Sequence, residues 1–242
     1  MTKVVPAIIP HTKEQLTEEI RKVAGFADLV QIDICDGVFV PTKTWPYNGR
    51  DSDFFEKLKT EEEGWPRWED VEFEIHLMVK NPEEVLLDWI RTGASAIIAH
   101  IEASEDFQKV IDICKENNVS LGVAIKPSTD IEKIKPFIEQ VHPVRDLEGS
   151  QSEPSSNGVD FIQVMGNDLL GKHNIPLDLK AVEKIKSLRN LYPESIIAID
   201  IGVTEDTEDL LVDAGANKLI SGGAILNSEN PKEVFDELSQ ND

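Results

Sequence analysis

Eight short apolar runs, rich in β-branched residues, alternate with longer amphipathic segments along the whole chain: VVPAII, LVQIDI, EFEIHLM, AIIAHIE, SLGVAI, VDFIQVM, SIIAIDI and KLISG. The segments between them space their apolar residues by three and four, as in Leu16, Ile20 and Val23, then Val85, Leu86, Trp89 and Ile90, then Phe107, Val110, Ile111 and Cys114. That period lays one apolar stripe along a helix. The boundaries carry matching signals. Thr12 with Gln15 reads as a capping box, Asn81-Pro82 and Asn230-Pro231 place a cap before a first-turn proline, and Gly25, Gly93 and Gly215 fall where helices should stop. The same glycines mark a loose repeat, AGFADLVQI, TGASAIIAH and AGANKLISG, each reading as helix end, tight turn and buried strand.

Strict alternation of strand and helix predicts a parallel sheet, and eight such units in 242 residues match the size of an α/β, single-domain (β/α)8 TIM barrel. A doubly wound open sheet is the alternative, although no GxGxxG follows the first strand. Two segments are longer than strand-to-helix connections need. Residues 46–70 contain a short helical patch, Phe54 to Leu58, and then KTEEEGWPRWED; the segment begins after the second strand, where it could contribute to a lid. Residues 142–158 are polar and aperiodic, and read as a solvated insertion.

Three of the strands each carry a residue that a buried strand tolerates poorly: Asp33 in LVQIDIC, His76 in FEIHLM and Asp200 in IIAIDIG. Unpaired charge in an apolar interior costs several kcal/mol or more, so such positions need a partner, a ligand or a use. Side chains alternate along a strand, so Gln31, Asp33 and Cys35 share a face, as do Glu74, His76 and Met78, and Ala198, Asp200 and Gly202. The intervening residues, Ile32, Ile34, Ile75, Leu77, Ile199 and Ile201, are aliphatic and should face the helices. The polar set then converges inside the barrel near its C-terminal rim. Asp33, His76 and Asp200, with Gln31 as a neutral fourth ligand, could hold a divalent metal ion (Zn, Fe, Mn or Mg). A cation between two aspartates suits proton abstraction beside a carbonyl, each carboxylate serving one face of the carbon.

Charge narrows the partners. With 46 acidic against 24 basic residues, a net charge of −22 disfavours nucleic acid and anionic membrane surfaces, and an anionic substrate must be attracted locally. The two cysteines, Cys35 and Cys114, form neither a CxxC pair nor a disulfide framework. A reducing, cytoplasmic setting is expected, because the chain has no apolar run of roughly 20 residues and no secretory leader pattern. Self-association into a homo-oligomer stays open.

These motifs give the chain a family likeness. DICDGVFVPT resembles the DxMDGxFVPN segment of ribulose-phosphate 3-epimerases, EIHLMVKNPE their xVHLMVxxPE, IIAHIEA their VHxEA, and AIDIGV with SGGAI their VDGGI and GSAI. The resemblance runs from Val4 to Leu238 with the motifs in order. It implies a cytoplasmic, metal-dependent isomerase of the pentose phosphate pathway that interconverts D-ribulose 5-phosphate and D-xylulose 5-phosphate, or acts on a related sugar phosphate. Asp33 and Asp200 would be the acid/base pair, both also metal ligands with His76. Met78 and Met165 would pack against the reacting carbons.

The chain also departs from the family pattern. Ala7 replaces a serine, Gln31 a metal-binding histidine, Cys35 a methionine, Ile201 a glycine and Gly223 a serine. The glycine-rich phosphate loop reads Asn167-Asp168-Leu169-Leu170-Gly171-Lys172-His173, in which Asp168 should repel phosphate and Lys172 attract it. Gly202, Gly222 and Gly223 retain the backbone freedom for an anion nest. Two alternatives follow from these changes: a degenerate barrel that binds a small anionic metabolite or a partner protein, or a different sugar-phosphate isomerase or lyase.

Overall fold

The computed structural model describes residues 2–138, 158–172 and 174–240. All eight apolar runs become strands: β1 (Lys3–Ile8), β2 (Leu29–Cys35), β3 (Glu72–Met78), β4 (Ala96–His100), β5 (Ser120–Ile125), β6 (Phe161–Met165), β7 (Ile196–Asp200) and β8 (Lys218–Ser221). Each pairs in parallel with the next, and β8 returns to β1, so the sheet closes as a single (β/α)8 barrel. The outer layer comprises α1 (Lys13–Val23), α2 (Ser52–Lys59), α3 (Pro82–Ile90), α4 (Phe107–Glu116), α5 (Lys135–Ile138), α6 (Leu179–Leu191), α7 (Glu208–Asp213), α8 (Gly223–Leu226) and α9 (Pro231–Leu238).

Helix starts follow the capping signals only in part. Thr12 accepts the Gln15 N–H at 3.1 Å, as a capping box requires. In place of the reciprocal bond, the N–H of His11, one residue before the cap, donates to the Gln15 side-chain oxygen at 2.9 Å. Asn81 and Asn230 precede first-turn prolines without making a side-chain cap bond.

Strand parity divides the apolar residues into two cores. Ile32, Ile34, Ile75, Leu77, Ile197 and Ile199 face outward and pack with Leu16, Ile20, Leu86, Val110 and Leu188 of the helices. Val5, Ala7, Ile98, Ala124, Phe161, Met165, Ala198 and Ile220 fill the lumen. Full burial of each large aliphatic side chain contributes about 1.5–3 kcal/mol, so this division fixes which face of every strand looks inward. Near the floor of the lumen the buried Lys218 and Glu74 pair at 2.5 Å, with the ammonium 4.2 Å from the centre of the Phe161 ring.

Residues 46–70 supply α2 and a tail whose Trp65 joins Trp45, Phe54 and Trp89 in an aromatic cluster on the outside of the barrel. The Trp65 indole donates to the Thr92 carbonyl at 2.8 Å, which anchors the tail against the end of α3. The expected insertion at 142–158 lies outside the described residues except for Gly158.

Candidate active site

The strand register sets the site. Asp33 on β2 is directly paired with His76 on β3, Gln31 with Glu74, and Met165 on β6 with Asp200 on β7. Asp33 of β2 and Asp200 of β7, three strands apart around the closed barrel, meet over His76. His76 Nδ1 lies 2.9 Å from Asp33 Oδ1 and 3.4 Å from Asp200 Oδ2. One ligand atom from each of the three residues falls within 4.8 Å of the others. His76 is fully buried, and Asp33 and Asp200 are only 5% and 7% exposed.

Two glutamines complete the polar centre. The Gln31 amide nitrogen donates to Asp33 Oδ1 at 2.9 Å and to Asp200 Oδ2 at 3.1 Å, and Gln163 donates to the same Asp200 oxygen at 3.3 Å. The amide oxygens of both are buried without a hydrogen-bond partner. Turning the Gln31 amide over would aim its oxygen at the point where the carboxylates and imidazole converge. Two buried carboxylates, an imidazole and an orphaned amide oxygen form a donor set that fits a divalent cation, with an oxygen-rich character that favours hard ions.

The electrostatics agree with an anionic, water-poor pocket. Burial, and then the charge of Asp200, push the Asp33 carboxyl up. Burial pulls the His76 imidazole down, but hydrogen bonds to Asp200 and Asp33 outweigh it and hold the group up at about 9. Behind His76 lies a second buried imidazole. His76 Nε2 is 3.0 Å from His100 Nε2, and His100 Nδ1 is 3.2 Å from Glu102 Oε2. Burial pushes His100 down to about 4; Glu102 sits at about 2 because the bond to His100, the His100 charge and the Lys126 backbone N–H outweigh its own burial.

Above the polar centre a cleft of about 590 Å³, open solvent included, is lined by Asp33, Asp200, Met78, Met165, Lys172, Gly202, Gly222 and Gly223. All the substrate-contact residues expected from the sequence are therefore in one cavity, with Gln31 and His76 beneath it. Gly202 has φ +76°, and a Cβ there would lie 2.7 Å from the Leu177 backbone nitrogen, so no side chain fits. Ile201, expected from strand parity to face the helices, instead lines the cleft, because β7 ends at Asp200 and Ile201 takes φ +81°, a strained conformation for a β-branched residue. The Asp168 carboxylate turns away, accepting from Ser128 Oγ at 2.9 Å and the Ser128 N–H at 3.2 Å. It ties the loop after β6 to the loop after β5 and does not line the cleft. Burial, with Asp33 and Asp36 nearby, pushes the Cys35 thiol up, which makes it packing material and not a nucleophile.

Several participants carry no role in the sequence reading: Gln163, His100 and Glu102 of the polar centre, and Asn174 and Thr204 of the cleft. His100 and Gln163 did leave a signal, since each is a polar residue inside an apolar strand run, as His76 is. Asn174 and Thr204 sit in loops, where a polar residue is ordinary.

Comparison with known proteins decides the family. The family model described as the ribulose-phosphate 3 epimerase family matches residues 3–226. The chain belongs to the ribulose-phosphate 3-epimerase family. It is 29% identical over 238 residues to the cytoplasmic isoform of ribulose-phosphate 3-epimerase from Oryza sativa, covering 98% of this chain and 92% of that one. The Schizosaccharomyces pombe and Escherichia coli ribulose-phosphate 3-epimerases are 28% and 24% identical, with 98% and 97% of this chain covered and 92% and 93% of theirs. Family membership makes the chain a carbohydrate isomerase. Among solved structures, 3-hexulose-6-phosphate synthase from Salmonella typhimurium superposes with TM-score 0.67 at 16% identity, covering 98% of this chain and 97% of that one. 3-Keto-L-gulonate-6-phosphate decarboxylase from Vibrio cholerae gives 0.67 at 12% identity, covering 99% and 95%. Those two likenesses establish the barrel fold. No helix among the described residues is long and apolar enough to cross a membrane.

Proposed function

We propose that this epimerase-family chain moves a proton at C3 of a ketose phosphate, with D-ribulose 5-phosphate and D-xylulose 5-phosphate as the leading substrate pair. The observation that carries the reading is the meeting of Asp33 from β2 and Asp200 from β7 around a single imidazole. Inverting a stereocentre needs one group to remove the proton from one face of the carbon and another to return a proton to the other face. Asp33 and Asp200 supply those two groups.

Asp33, His76 and Asp200 would hold one divalent ion, with the Gln31 carbonyl oxygen as a fourth ligand once its amide is turned. Bound there, such an ion would supply positive charge to offset the negative charge that builds on the substrate as the proton leaves. The residues do the remaining work. Met78 and Met165 form an apolar wall beside the reacting carbons, keeping water from the pair of carboxylates. Lys172 and the backbone N–H groups of Gly202, Gly222 and Gly223 are the local attraction that brings a phosphate into a protein of net charge −22. Asp168, held by Ser128, does not line the cleft and so does not itself oppose that attraction.

The test is turnover of D-ribulose 5-phosphate by purified protein supplied with Mn²⁺ or Zn²⁺, detecting D-xylulose 5-phosphate. Folded protein that turns over this substrate supports the reading. Folded, ion-loaded protein that converts no ketose phosphate overturns it and favours a barrel that binds an anion without turnover.

A further inference from the structure

His76 has two ring nitrogens, and what faces the second one decides what the first can do. Its Nδ1 looks toward Asp33 and Asp200, while its Nε2 stands 3.0 Å from the Nε2 of His100, with the two rings stacked at 26°. Only one of those two Nε2 atoms can carry the shared hydrogen. The choice is made one residue further away. His100 Nδ1 is 3.2 Å from Glu102 Oε2, and Glu102 Oε1 accepts the Lys126 backbone N–H at 2.8 Å. A carboxylate accepts and does not donate, so His100 must place its proton on Nδ1, leaving its Nε2 lone pair free. That lone pair accepts the Nε2–H of His76, and the last free lone pair of the chain is then His76 Nδ1, aimed into the carboxylate centre. The reverse polarity would set a bare His100 Nδ1 against the Glu102 carboxylate.

Bulk water does not reach either imidazole. His76 and His100 are fully buried. Phe39, from the loop after β2, lies over His100 with ring centres 5.0 Å apart, and the Lys126 ammonium sits 4.5 Å from the centre of the Phe39 ring. Neither Phe39 nor Lys126 lines the cleft, whose walls come from the ends of β1–β3 and β6–β8 and the loops that follow them.

We propose that His100 and Glu102 are a positioning pair for the ion site: Glu102 fixes the tautomer of His100, and His100 fixes the tautomer and ring orientation of His76 so that Nδ1 is presented as the nitrogen ligand. The inference rests on the metal-holding role given to Asp33, His76 and Asp200 above. Partners behind a metal-ligating imidazole commonly change affinity by about 10–100-fold when removed.

The test is Mn²⁺ affinity by chelator competition, together with thermal stability of the ion-free proteins, for wild type, His100→Leu, His100→Gln and Glu102→Gln. His100→Leu, which has no acceptor, should bind Mn²⁺ about 10–100-fold more weakly. His100→Gln places an amide oxygen near the lost Nε2 and should recover most of the affinity. Glu102→Gln should weaken binding in the same direction as His100→Leu, and it keeps the test alive if the leucine variant does not fold. Wild-type affinity in a folded His100→Leu or Glu102→Gln protein overturns the pair's role while leaving the ion site intact. So does a loss of affinity in His100→Gln as large as in His100→Leu, because packing alone would then explain both. A wild-type protein that binds no Mn²⁺ overturns the ion site itself, and this inference with it.

Discussion

A Cβ placed on Gly166 would lie 1.9 Å from the carbonyl oxygen of Ile201. This contact joins the ends of β6 and β7 beside Asp200, and the Gly166 N–H donates to the Asp200 carbonyl at 2.5 Å. Both neighbours are backbone, so neither can rotate out of the way. Gly166→Ala should therefore destabilise the fold by about 1–3 kcal/mol, the usual penalty of overpacking, and lower kcat by displacing Asp200. Urea unfolding and steady-state kinetics check it. Wild-type values for both would mean that the two strand ends can separate freely.

Gln31 sets the character of the ion site. Its amide is a harder and weaker donor than an imidazole, and it stands between both carboxylates. Gln31→His should raise Zn²⁺ affinity by about tenfold or more while changing Mn²⁺ affinity less, in line with the preference of imidazole for zinc. Competition titrations with a chelator measure the ratio. An unchanged Zn²⁺ to Mn²⁺ preference would remove Gln31 from the ligand set.

Ion binding should release a proton. His76 titrates at about 9 in the ion-free site, so below that pH its Nδ1 competes for a proton that the ion must displace. The apparent affinity should rise with pH and level off above about 9. Further weakening on the acid side should come from the raised Asp33 carboxyl. Calorimetry at neutral pH in two buffers of different ionisation enthalpy reads the released proton directly. Equal heats in both buffers would contradict it.

The barrel was legible because its signal is redundant: eight apolar runs, helical spacing between them and correctly placed stops all point to one topology. Asp33, His76 and Asp200 were legible for a related reason, since an acid or an imidazole inside an aliphatic run conflicts with burial unless it has a use. The same logic applied to His100 and Gln163, but His100 closes its strand beside Glu102, where a polar end is unremarkable, and glutamine is neutral. Residues 46–70 show where length misleads. The segment looks surplus by connection length, yet α2 and Trp65 pack outside the barrel, and none of its residues lines the cleft. Ile201 was misplaced by strand parity, which turned it toward the helices, because an isoleucine in an apolar run gives no warning that its φ will be +81° and will bring it into the cleft. The direction of the Asp168 carboxylate could not be read from the sequence either, because it is decided by a serine forty positions earlier in the chain.

The most direct test of a two-carboxylate proton transfer is deuterium incorporation at C3 of D-ribulose 5-phosphate in D₂O, followed by NMR with ion-loaded wild type, Asp33→Asn and Asp200→Asn. Wild type should exchange the C3 hydrogen and form both epimers, and each variant should lose about 10²–10⁴-fold or more in exchange and in epimer formation. Undiminished C3 exchange in both folded variants would show that neither carboxylate handles the proton.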